Sequence, residues 1–150
     1  MWSRDKSVLL TLVANRLIAV LAIILAFLLP SLIDRGFFTH RALISSRDVY
    51  WLMPIYYSFL APAAVALFSL DRLLAEIRTE HVFTKKNVGF LRVITWCCFV
   101  AGIILLVSGT VSIVFYVLAI LAAFFGLILR VVKNLFAAAV ALQDESDLTI

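Results

Sequence analysis

The chain has 150 residues, of which 65% are hydrophobic, with a mean hydropathy of +1.12 and a formal net charge of +4. Soluble domains are closer to half apolar, so the composition excludes an ordinary soluble domain and indicates a membrane protein. The length allows one domain and about four helical spans of ~20 residues each.

Residues 1–7 carry Arg4, Asp5 and Lys6, and apolar sequence begins at Val8. Asn15 and Arg16 interrupt it, and the uncharged run 17–33 is short for a span. A helix starting near Val8 lets Arg16 snorkel back to the cytoplasmic interface. A signal peptide is the rival reading, but Leu28-Leu29-Pro30-Ser31-Leu32 offers no small-residue cleavage site, so the segment is expected to stay as the first span.

A polar loop follows at residues 34–48, with Arg35, His40, Arg41 and Arg47. The second uncharged run is 49–70. Tyr50 and Trp51 are placed for an interfacial aromatic belt, and Tyr56 and Tyr57 follow in its first half. Pro62, near the middle, is expected to kink this helix because proline removes a backbone donor. Ala61, Ala63, Ala64 and Ala66 make a small-residue surface for close helix contact. Residues 71–80 continue the helix into water, with Leu73, Leu74 and Ile77 as an apolar stripe.

The stretch 80–92 is polar between two apolar regions. Thr84 followed by Asn87 reads as a helix N-cap related to the capping box, with Phe83 and Val88 as the hydrophobic staple, so a helix is predicted to start at Lys85. Between Arg92 and Arg130 lie 37 residues without a charge. One straight helix of that length would be roughly 55 Å, well beyond a bilayer core, so the run folds back. Ser108-Gly109-Thr110-Val111-Ser112 is the credible turn. Ala119, Ala122, Ala123 and Gly126 then give the last span small-residue spacing for tight packing. Residues 131–150 leave the membrane as a helix, with order predicted to fade after Gln143, because Asp144, Glu145 and Asp147 oppose the macrodipole at a helix C-terminus.

The expected fold is therefore all-α. It is a polytopic membrane protein of one domain, 1–150, with four transmembrane helices in an antiparallel bundle and a cytoplasmic C-terminal helix. The spans fall at about 10–33, 49–70, 90–108 and 112–130, and the tail at 131–150. With the N-terminus inside, ten Lys and Arg lie inside and three outside (Arg35, Arg41 and Arg47), which places both termini in the cytoplasm.

The spans hold no acidic residue between their charged borders, whereas pumps and proton-coupled transporters usually need an intramembrane carboxylate or histidine. His40 and His81 lie in loops on opposite sides of the predicted membrane. Cys97 and Cys98 are adjacent in an apolar run and read as packing residues, since a disulfide framework or metal site needs spaced partners. No catalytic, cofactor or metal residues are expected, and the protein reads as no enzyme. Basic residues gathered at span ends fit topology and lipid headgroups rather than nucleic acid.

Two features remain as candidates for partner binding. One is the loop with Arg78, Lys85, Lys86, Asn87 and Arg92, which reads equally as a solvated positive-inside loop. The other is the ending with Asp144, Glu145, Asp147, Leu148 and Ile150, which reads equally as a passive terminus. Leu148 and Ile150 alternate before the free carboxylate, which suits strand addition or carboxylate capture by a partner.

At these two places the chain resembles the small four-span bacterial membrane proteins called domain of unknown function family 2975. The first motif is Val82-Phe83-Thr84-Lys85-Lys86-Asn87-Val88 with Leu91-Arg92-Val93-Ile94. The second is Leu129-Arg130-Val131-Val132-Lys133-Asn134-Leu135-Phe136 with Ala139, Leu142 and the ending Glu145-Ser146-Asp147-Leu148-Thr149-Ile150. Val82 and Ser146 depart from the proline and asparagine that relatives often carry. Members are often encoded beside a small helix-turn-helix regulator, so the resemblance implies a membrane-anchored partner for such a regulator and carries over no catalytic residue. The partners expected are the bilayer and that cytoplasmic regulator, with a homo-oligomer left open. The alternative is a small transporter-like or immunity-type protein, favoured by the aromatic-rich segment 49–70.

Overall fold

The computed structural model describes residues 3–40, 44–79 and 82–148. The described chain is all-helical: α1 (Arg4–Asp34), a single turn α2 (Phe37–His40), a 3-10 turn (Val49–Trp51), α3 (Leu52–Arg78), α4 (Lys85–Ser108) and α5 (Ile113–Leu148). The four long helices are each long and apolar enough to cross a membrane. This is a multi-pass membrane protein. In hydrocarbon every backbone donor and acceptor must be met within the chain, which the α-helix alone does over a single segment. Span hydroxyls obey the same constraint, since Thr95 donates to Leu91 O at 2.8 Å and Ser108 to Ile104 O at 2.7 Å.

The long helices run antiparallel in sequence order. The start of α1, the end of α3, the start of α4 and the end of α5 share one end of the bundle, called here the charged end. There Leu73, Leu91 and Ile94 form a buried cluster with Leu70, Phe90, Leu129 and Phe136 against it. At the opposite end Leu29, Ile33, Val49 and Leu52 are buried together, with Phe115 of α5 packed on them. Helix α4 is the central one: 33% of its most apolar window is buried, against 17% for α1 and 11% for α3 and α5.

Two kinds of contact hold the layer together. Between α4 and α5 the backbones come close. A Cβ on Gly102 would lie 3.7 Å from both Ala119 O and Ala122 Cβ, and a Cβ on Gly126 would lie 3.1 Å from the Phe99 ring. The small residues expected on the last span thus face α4. Between α1 and α3 the ties are polar. Tyr56 Oη donates to Ala22 O at 2.7 Å and Tyr57 Oη to Ala26 O at 2.8 Å. Asn15 Nδ2 donates to Leu67 O at 3.0 Å, and Arg16 meets Asp71 at 3.1 Å. The partner of Arg16 is therefore a carboxylate on the neighbouring helix.

The turns follow local chemistry. Gly36 has φ 67°, the left-handed position beyond a helix end, and its N–H bonds Ile33 O at 2.9 Å. Pro54 falls in the first turn of α3, where no intrahelical donor is needed, and α3 continues through Pro62 as one helix. The fold-back occurs at 109–111.

One expectation is corrected. The last helix does not fade after Gln143 but runs through Asp144, Glu145 and Asp147 to Leu148. The dipole penalty of an exposed acid is only about 0.3–1 kcal/mol and is confined to the last turn, so a long Ala- and Leu-rich helix absorbs it.

Replacing Gly126 with leucine should force Phe99 out of the seam between α4 and α5. A loss of about 1–3 kcal/mol is expected, read as an earlier unfolding midpoint in detergent. An unchanged midpoint would mean that the two helices do not meet there.

Candidate interaction face at the charged end

The start of α4 is built by Thr84 and Asn87. Thr84 has extended backbone angles (φ −126°, ψ 153°), and its Oγ1 accepts from the Asn87 N–H at 3.3 Å. Asn87, at 0% exposure, donates from Nδ2 to Val82 O at 2.8 Å. A capping box sends its third side chain back to the cap N–H, whereas here the amide holds the carbonyl two residues before the cap. Asn87 therefore shapes the loop. Phe83, expected to staple onto Val88, lies with its ring 5.2 Å from that of Phe136 on α5.

The lysines at the first two helical positions oppose the macrodipole, so helix stability does not explain them. Lys86 Nζ meets Glu76 Oε1 at 2.7 Å, joining α4 to α3 across the loop. Lys85 points elsewhere. With Gly89 and Arg92 it lies on one α4 face, at spacings of four and seven. That face meets Ala137, Ala141 and Asp144 of α5 around a groove of about 410 Å3. Gly89 and the two alanines leave the floor low, and a Cβ on Gly89 would meet nothing within 4 Å. Lys85 and Arg92 supply cations on one wall, and Asp144 an anion on the other.

The structure thus brings Lys85, Arg92 and Asp144 together. Arg78 is the last residue of α3 and is not among the residues around the groove, Lys86 is paired with Glu76, and Asn87 is buried. Glu145 and Asp147 are exposed beyond the groove. Leu148, one turn past Asp144 on the same face, is 86% exposed. Ile150, Glu80 and His81 lie outside the described residues.

The sequence reading missed the floor, Gly89, Ala137 and Ala141. It also missed Arg130 and Lys133, which lie further along the same seam with Arg92, Thr95, Trp96 and Phe99. Counting outward from the turn at 109–111 pairs position 92 with 128, less than one helical turn from Arg130, and would have pointed to this cluster. Among the described residues, no three His, Cys, Asp or Glu side chains gather as a metal site would require.

Residues 39–150 match the family of proteins of unknown function DUF2975. The chain belongs to that family. No curated protein and no solved structure matches it. The DUF2975 match contains α3, α4 and α5 entire, with the groove and the seam, and leaves α1 outside. The matched region thus includes the three helices centred on α4.

Thr84→Ala should loosen the start of α4 by about 1 kcal/mol through the lost cap. Asn87→Ala should add about 1–3 kcal/mol, because the Val82 carbonyl then loses its buried donor. Hydrogen exchange at residues 85–88 is the readout, and unchanged protection in both variants would refute the capping role.

Proposed function

We propose that this DUF2975 protein is a non-enzymatic anchor in the bacterial cytoplasmic membrane, holding a helix-turn-helix transcription regulator at its charged end. The observation that carries the reading is the groove between α4 and α5. Its low floor of Gly89, Ala137 and Ala141 accommodates an amphipathic helix, and the Lys85, Arg92 and Asp144 rim supplies charges of both signs to set its direction. The exposed Leu148 is an apolar anchor beyond the rim. The ten-to-three distribution of Lys and Arg favours a cytoplasmic charged end, where a regulator could reach it. The absence of acidic residues from the uncharged runs speaks against transport coupled to protons and against catalysis within them.

A second reading, in which the spans hold a small apolar molecule, draws on one observation. At the opposite end Leu29, Phe38, Tyr56, Phe59 and Phe115 line a cavity of about 460 Å3 whose walls are nearly all carbon.

Orientation is checked with single cysteines at Ser45 and Ser146 in a background lacking Cys97 and Cys98. Ser45Cys should be labelled from outside intact cells and Ser146Cys should not. The reverse pattern would overturn the orientation.

Docking is checked by affinity purification of the tagged protein in mild detergent, with mass spectrometry of any helix-turn-helix regulator it captures. Deleting residues 144–150 should leave the protein inserted and folded but abolish capture, and charge reversal at Lys85, the lysine that lines the groove, should weaken it. Capture at the parent level by the truncated protein would refute the docking face.

A further inference from the structure

Several basic side chains at the charged end have a partner. Arg16 meets Asp71, Lys86 meets Glu76, and Arg72 lies over the Phe68 ring at 5.2 Å. Arg92, Arg130 and Lys133 differ. They converge from two helices on a depression of about 240 Å3, and none has an ion-pair partner among the described residues. Three like charges gathered without a counter-charge repel one another unless an anion sits among them.

The position of the depression identifies the anion. Arg92 and Arg130 bound the uncharged run of 37 residues, so the site lies where hydrocarbon gives way to headgroups. Trp96, 65% exposed, is on its rim, and tryptophan favours that level of the membrane. Deeper along the seam Phe99 lies against Gly126, and beyond it Ile103 is exposed on the side of α4 that continues from Trp96 and Phe99. Guanidinium groups offer paired donors that match phosphate oxygens.

We propose that Arg92, Arg130 and Lys133 bind the headgroup of an anionic phospholipid, with its phosphate between the guanidinium groups and its chains along the apolar seam below Trp96. Inorganic phosphate presents the same oxygens but has no chains to cover that seam. Arg92 lines both this site and the docking groove, but Arg130 and Lys133 lie outside the groove, so variants at those two residues test the lipid site apart from the regulator-binding face.

The test uses the full chain with Trp2→Phe and Trp51→Phe, leaving Trp96 as the only tryptophan, in phosphatidylcholine vesicles. Brominated phosphatidylglycerol should quench Trp96 more strongly than brominated phosphatidylcholine. Arg130→Gln and Lys133→Gln should each lower that preference roughly fivefold, the factor expected for one basic residue at an anionic surface. Arg130→Lys should keep most of it. Equal quenching by the two lipids, or a preference unchanged in the double glutamine variant, overturns the proposal. Loss of the preference on adding millimolar inorganic phosphate also overturns it, and assigns the site to the free anion. Native mass spectrometry of the unsubstituted protein repeats the test without variants. Retention of phosphatidylglycerol over phosphatidylcholine is expected, and equal retention contradicts the site.

Discussion

The absence of charge between Arg92 and Arg130 is the constraint on which the rest of the structure depends. Such a run is too long to cross once, and its backbone polar groups must be satisfied in hydrocarbon. It therefore forms two helices with a turn at 109–111, and these are forced to lie side by side. Gly102 lies against Ala119 and Ala122, and Gly126 lies against the Phe99 ring, and these contacts belong to one register. Once the register is set, Arg92 falls beside Arg130 and Lys133, and Lys85 beside Asp144. Both the groove and the cationic depression follow from that single hairpin.

Helix α1 is attached by different means. Its ties to α3 are the Tyr56, Tyr57 and Asn15 hydrogen bonds and the Arg16–Asp71 pair. In lipid the apolar faces of helices gain little from leaving hydrocarbon, so packing and interhelical polar bonds decide association. The α4–α5 pair relies on backbone proximity and the α1–α3 pair on side chains reaching backbone carbonyls. The family match spans the first arrangement and not α1.

Much of the fold was legible because membrane constraints act on whole runs of residues. Uncharged runs marked the long helices, Ser108 to Ser112 marked the turn, and Thr84 marked the start of α4. What was not legible depended on pairing between distant positions. Nothing near Tyr56 in sequence announces Ala22 as its acceptor, and nothing near Phe83 announces Phe136. The candidate residues divided for the same reason. Composition put Lys85, Lys86 and Asn87 in one polar stretch, but helix rotation sends Lys86 to Glu76, buries Asn87 and leaves only Lys85 on the α5 side. The end of α5 was misjudged by weighing a dipole effect of the last turn against the propensity of the whole helix.

The register of the α4–α5 hairpin is the claim most directly open to measurement. In a background lacking Cys97 and Cys98, cysteine pairs at Lys85 with Asp144 and at Arg92 with Lys133 should be joined by a short bifunctional reagent in native membranes. A pair displaced along α5, Lys85 with Arg130, should not. Efficient joining of the displaced pair, with none at the other two, would mean that the helices are slid past one another and that neither the groove nor the cationic depression exists as described.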